Sequence, residues 1–151
     1  MIGNVNYKEN HLSYAVLAKR QLFSMIFIIA SAGHFTRETI ESAARHHVPL
    51  PIVLVPLSGV IAFAGGLSIL LGYQTRFGAW LLVIFLVPVT VMMHNFWAVW
   101  EPATAQIERA MFMKNVTMLG GALLIAYFGG GPLSVDAFVV KVTGKASTPL
   151  A

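Results

Sequence analysis

Four stretches of this 151-residue chain are apolar enough, and free enough of charge, to cross a bilayer. A helix rises about 1.5 Å per residue and the hydrocarbon core is roughly 30 Å thick, so a span needs about 20 apolar residues. The expected spans are residues 18–35, 51–72, 77–100 and 110–129. The first is led in by Lys19 and Arg20, which can snorkel toward the headgroups, and the last carries Lys114 near its start. Breaks fall at Pro49 and Pro51, at Gly72-Tyr73-Gln74, at Glu101-Pro102 and at Gly129-Gly130-Gly131-Pro132. The expected fold is all-α, one domain of 151 residues built as an antiparallel four-helix bundle in the membrane.

Composition supports this class. Hydrophobic residues make up 57% of the chain and charged residues 11%, with a mean hydropathy of +0.74, where a soluble domain carries about 25% charged residues. A water-soluble fold of this size could not hide so much apolar surface. The net charge of +4 is spread over short segments with no basic stripe, so anionic lipid headgroups, not nucleic acid, are the expected counter-charge. The chain has no cysteine, which excludes disulfides, thiol redox chemistry and CxxC metal sites. Electron transfer would need a borrowed cofactor or a quinone.

Lys19-Arg20, the run 22–29 and Ala30-Ser31-Ala32 imitate a signal peptide. The polar leader before them is long for one, so the first segment is expected to be retained. Six Lys and Arg (Lys8, Lys19, Arg20, Arg76, Lys141, Lys145) fall on the side of the termini, and four (Arg37, Arg45, Arg109, Lys114) on the other, where Glu38, Glu41, Glu101 and Glu108 offset them. Positive-inside bias then puts both termini in the cytoplasm. Trp80 and Trp97 bracket the third helix, about 26 Å apart by helix rise, as two interfacial belts would require. Ser58, Ala62 and Gly66 form a small-residue row on the second helix, and Gly65, Gly120 and Gly121 would also permit close approach.

The residues with chemical potential gather at the ends away from the termini. His34 closes the first span and His94 lies about two turns inside the third, with Glu101 at i+7 from it on nearly the same face. Lys114, Asn115 and Thr117 open the fourth from that side, while Ser58 and Thr90 lie deeper. The opposite halves are almost wholly Leu, Ile, Val, Ala and Gly, which predicts a polar cup over a greasy floor. Ionisable groups at membrane depth are costly and mark interiors or pathways. Histidines on two helices suit a quinone carbonyl, a metal or haem iron, or simply a bond to a neighbouring helix. Trp97, Trp100, Phe96 and Phe112 suit an interfacial belt or a stack against a flat ligand. Glu101 and Glu108 are placed to pair with Arg37, Arg109 or Lys114. His46-His47 reads as exposed loop. No nucleotide loop, nucleophile elbow or HExxH stands in the chain.

Taken in order, Gly65-Gly66-Leu67-Ser68-Ile69-Leu70-Leu71-Gly72 with Thr75-Arg76, then His94, Lys114-Asn115, and Gly129-Gly130-Gly131-Pro132-Leu133-Ser134-Val135-Asp136 resemble the DoxX family of small four-helix membrane proteins. The resemblance covers residues 18–138. An acidic residue often found early in the family's second helix is replaced here, since the stretch around Ala62 carries no charge. The resemblance implies a multi-pass protein of the bacterial inner membrane. It further implies relatives linked to thiosulfate:quinone oxidoreduction or to oxidoreductase complexes handling oxidative stress. Three functions follow as expectations. The first is a quinone-linked redox subunit, with His94 and His34 at the quinone, assisted by Lys114, Asn115, Trp97 and Glu101, and with other redox subunits as partners. The second is an accessory subunit of a larger complex, and the third a small carrier that would need to oligomerise. Arg76 and Asp136 are expected to pair, or to cap, and so fasten the second turn to the tail.

Overall fold

The computed structural model describes the backbone of residues 3–144 and the side chains of residues 11–144. The described residues are all-helical. Helices α1 (Gly3–Ser31), α3 (Pro51–Leu71), α4 (Thr75–Met93) and α5 (Pro102–Phe128) are the long elements, joined by the short helices α2 (Arg37–Arg45) and, in the tail, α6 (Val135–Thr143). The four long segments are each apolar and long enough to span a membrane. Consecutive members pack antiparallel, α1 on α3, α3 on α4 and α4 on α5. Phe23 of α1 closes the circle by filling the space that a side chain at Gly121 of α5 would need.

Local chemistry sets most of the ends. Pro51 begins α3 where its missing N–H costs nothing, and Gly72 ends it in the left-handed conformation. Thr36 caps α2 by accepting the Thr39 N–H at 3.3 Å, Glu101 caps α5 through Ala103 and Thr104, and Ser134 caps α6 through the Ala137 N–H at 3.1 Å. Hydrogen bonds from Thr104, through side chain and backbone, and from the Ala103 N–H hold the Glu101 carboxyl below its ordinary range.

Close helix contact runs through glycine. Gly59 meets the backbone of α1 and His34, Gly66 meets Phe27 and Ser24 on α1, and Gly65 lies against the Gly78 carbonyl and Leu82 of α4. Of the expected row, Ala62 and Gly66 are buried as predicted while Ser58 turns to His34; Gly120, by contrast, faces open space. The core between these faces is Phe27, Ala62, Ile69, Ala79, Leu82, Phe85, Leu86 and Ala122.

Two boundaries differ from expectation. Helix α5 starts at Pro102, eight residues before the predicted 110, because Glu101 supplies a cap that a charge-free reading passes over. Helix α4 stops at Met93, not at residue 100. Phe96 and Trp97 leave the helix in a short 3-10 turn and stack edge-on against each other and against Phe112 of α5, with ring centroids 5.1 to 5.8 Å apart. An unbroken apolar run does not distinguish a helix from an interfacial aromatic turn. Trp80 and Trp97 therefore do not share one helix.

Candidate functional site

The two ends of the bundle carry different polar sites. At the end holding α6, Arg20 sits inside the protein, 5% exposed. It donates to the Gly130 carbonyl at 2.6 Å, to Leu133 at 3.0 Å and to Leu70 at 3.5 Å. Asp136 accepts from the Gln74 N–H at 2.7 Å, the Thr75 N–H at 3.0 Å and the Thr75 hydroxyl at 2.8 Å. These bonds tie α1, the α3–α4 turn and the tail together through Arg20 and Asp136, and Arg76 does not take part. Among the described residues Arg76 forms neither an ion pair nor a hydrogen bond. It lines an open cavity of about 570 Å³ beside Gly129–Gly131, Ser134 and Asp136, where the carboxylate already serves three donors.

The expected greasy floor is thus corrected. A flanking arginine is expected to snorkel, yet only burial lets Arg20 reach the orphan carbonyls that the glycine-rich turn leaves after α5. Its Nε is the one buried side-chain nitrogen or oxygen without a partner among the described residues.

At the other end, His34 and His94 line one cleft of about 380 Å³ between the end of α1, α2, α3 and α4. Its walls are mainly apolar, with Val55, Ile61, Ile84, Phe85, Val89 and Met92 among them. His34 reaches the cleft because the chain tightens into a 3-10 turn at Ala32–Phe35, and its ring packs edge-on to Phe85 with centroids 5.5 Å apart. Its Nδ1 bonds Ser58 Oγ at 2.9 Å. His94 is held where α4 stops, and its Nδ1 bonds Glu108 Oε2 of α5 at 2.7 Å. Both partners of that pair are 23% exposed.

The remaining predicted site residues lie elsewhere. Glu101 caps α5 instead of extending the His94 face, since the helix that would have aligned them ends at Met93. Trp97 belongs to the aromatic stack, and Lys114 is exposed with its amine on Met111 Sδ at 3.2 Å. Asn115 is buried on α5, 4% exposed, and lies outside the cleft lining. Glu108 finds His94 instead of a basic partner, while Arg37 bonds Glu41 at 2.8 Å on the surface of α2. Among the described residues no three His, Cys, Asp or Glu side chains converge as a metal site.

The sequence reading missed Glu108 as the partner of His94. It also missed α2, whose Ala43 is buried and, with Thr39, closes one side of the cleft. The signal for α2 was present in Thr36, a cap three residues ahead of Thr39, and in a polar-apolar alternation of helical period.

Comparison with known proteins agrees with this architecture. The chain is 32% identical to the inner membrane protein YqjF of Escherichia coli over 126 residues, 83% of this chain and 92% of that one. It is 29% identical to the inner membrane protein YphA of the same organism, over 65% of this chain and 69% of that one. The ER-derived vesicles protein ERV29 of Saccharomyces cerevisiae is 29% identical over 90% of this chain, which spans 37% of its length. No solved structure matches. Residues 15–95 match the sequence model of DoxX. With four membrane-spanning helices and these relatives, the chain is a multi-pass inner-membrane protein that belongs to the DoxX family.

Proposed function

We propose that the protein is a quinone-binding subunit of a membrane oxidoreductase system. The supporting observation is one apolar cleft flanked by two histidines from different helices, each oriented by its own partner. An isoprenoid quinone is a flat apolar ring with two polar oxygens, so a mainly apolar slot with two polar contacts suits its head. In this reading His34 and His94 contact the head, Phe85 and the aliphatic walls hold the ring, and electrons pass to or from a partner subunit. Glu108 and Ser58 orient the histidines, while Asn115, Lys114, Trp97 and Glu101 lie outside the cleft lining and take no part in holding the head. Both termini face the cytoplasm, which opens the cleft at the outer leaflet.

Purification in native lipid followed by mass spectrometry of the extracted lipids tests this. Quinone enriched over bulk lipid, and lost in His94→Leu, is the expected result; equal quinone content in protein and bulk membrane would defeat it.

A second reading, an accessory subunit, is favoured by α5, which buries only Asn115 and Ala122 and leaves a long apolar face for lipid or another chain. A stoichiometric membrane partner released by charged substitutions at Val116 and Leu124 would support it.

A further inference from the structure

We infer that the cleft prefers the reduced, dihydroxy form of a quinone to the oxidised dione; the inference rests on the quinone reading above and specifies which form binds. A dione presents only hydrogen-bond acceptors, whereas a hydroquinone presents two hydroxyl donors. The preference is therefore set by what the cleft wall offers.

The hydrogen-bond partners favour one tautomer on each ring. With its hydroxyl donating to the Val55 carbonyl at 2.7 Å, Ser58 accepts from His34, an arrangement that places the His34 hydrogen on Nδ1. An ionised Glu108 carboxylate is acceptor-only, so His94 Nδ1 carries a hydrogen as well. In a neutral imidazole the second nitrogen is then a bare acceptor. Neither Nε2 has a hydrogen-bond partner among the described residues, and both rings border the cleft.

The remaining hydroxyl in the wall is also committed. Thr36 donates to the Gly33 carbonyl at 2.8 Å, which leaves Thr39 to donate to Thr36 Oγ1 at 2.9 Å. Every side-chain hydrogen on an oxygen in the cleft wall is thus in use, and with both imidazoles neutral two acceptor nitrogens are open. A hydroquinone can donate to both, while a dione would set its carbonyl oxygens against lone pairs in an apolar slot. Glu108 acts as a positioning residue, because it fixes which nitrogen of His94 stays open.

The test uses the full chain in phosphatidylcholine nanodiscs, under argon at pH 8.5. It is titrated with 2-decyl-1,4-benzohydroquinone, with the matching dione, and with the 1,4-dimethyl ether that lacks donors. Two net hydrogen bonds predict about tenfold to a hundredfold tighter binding of the hydroquinone than of either analogue. Glu108→Gln can donate to Nδ1 and so lets His94 carry its hydrogen on Nε2, which should narrow the ratio between hydroquinone and dione. A purely structural role for Glu108 would weaken both ligands equally. If that variant does not fold, the ratio in the unaltered protein still decides. Dione binding as tight as hydroquinone, or ether binding equal to it, would overturn the preference and leave the quinone site standing. Binding of none of the three would defeat the quinone reading itself.

Discussion

At the end of the bundle that holds α6, Arg20 and Asp136 bond to backbone groups from three segments, whereas at the other end His34 and His94 each hold one side chain and keep a nitrogen open. Both ends place ionisable groups at or near membrane depth, where an unpaired one is costly. The difference lies in how far their bonding is completed. Asp136 meets three donors at once and Arg20 meets three carbonyls, the pattern of a clasp that holds loops to helices. The histidines are steadied on one side only, the pattern of groups kept available for a ligand.

If the clasp reading is correct, Arg20→Met should be the most damaging single change. It leaves the buried Gly130 carbonyl and the part-buried Leu70 and Leu133 carbonyls without their charged donor, a loss of about 3–5 kcal/mol at roughly 1.5–3 kcal/mol for the buried bond and less for each of the others. Thermal unfolding in detergent should show a large drop in midpoint, and an unchanged midpoint would remove the clasp. Asp136→Asn keeps the shape but loses the charged acceptor. Its expected cost is smaller, about 1–3 kcal/mol, with quinone content unaffected.

The opposite end should answer in the opposite way. His94→Leu keeps an apolar wall and should change stability by less than about 1.5 kcal/mol while removing the ligand. A variant that loses stability and ligand together would erase the contrast between the ends. The smallest effect is expected from Glu101→Ala on the surface. Because the folded protein holds this carboxyl below its ordinary range, the cap's contribution is fully present above that range and fades as the pH falls through the lowered value. A small difference in unfolding midpoint between Glu101→Ala and the parent at neutral pH, vanishing in acid, is the outcome to look for.

The two ends were also unequally legible in the sequence. Apolar length and proline or glycine breaks were enough to place four spans, since lipid requires every backbone group to be satisfied within a helix. That His34 and His94 stand at the same end of the bundle followed from the same breaks, although α4 stops at Met93 and puts His94 at its end rather than inside it. What hydropathy could not supply was the partner of each polar residue. Arg20 beside Lys19 looks like any pair of flanking cations, and its burial depends on a loop more than a hundred residues away in sequence. Glu108 sits fourteen positions from His94 across a non-helical turn, so no helical spacing connects them.

The central claim is that the two histidines border a ligand cleft at the end away from α6. A density map of the protein in lipid nanodiscs, prepared with a short-chain hydroquinone, tests it most directly. The account predicts ring-shaped density against Phe85, with one oxygen within hydrogen-bond distance of His34 Nε2 and the other of His94 Nε2. A cleft filled by an acyl chain, or a ring bound instead near Arg76, would contradict it.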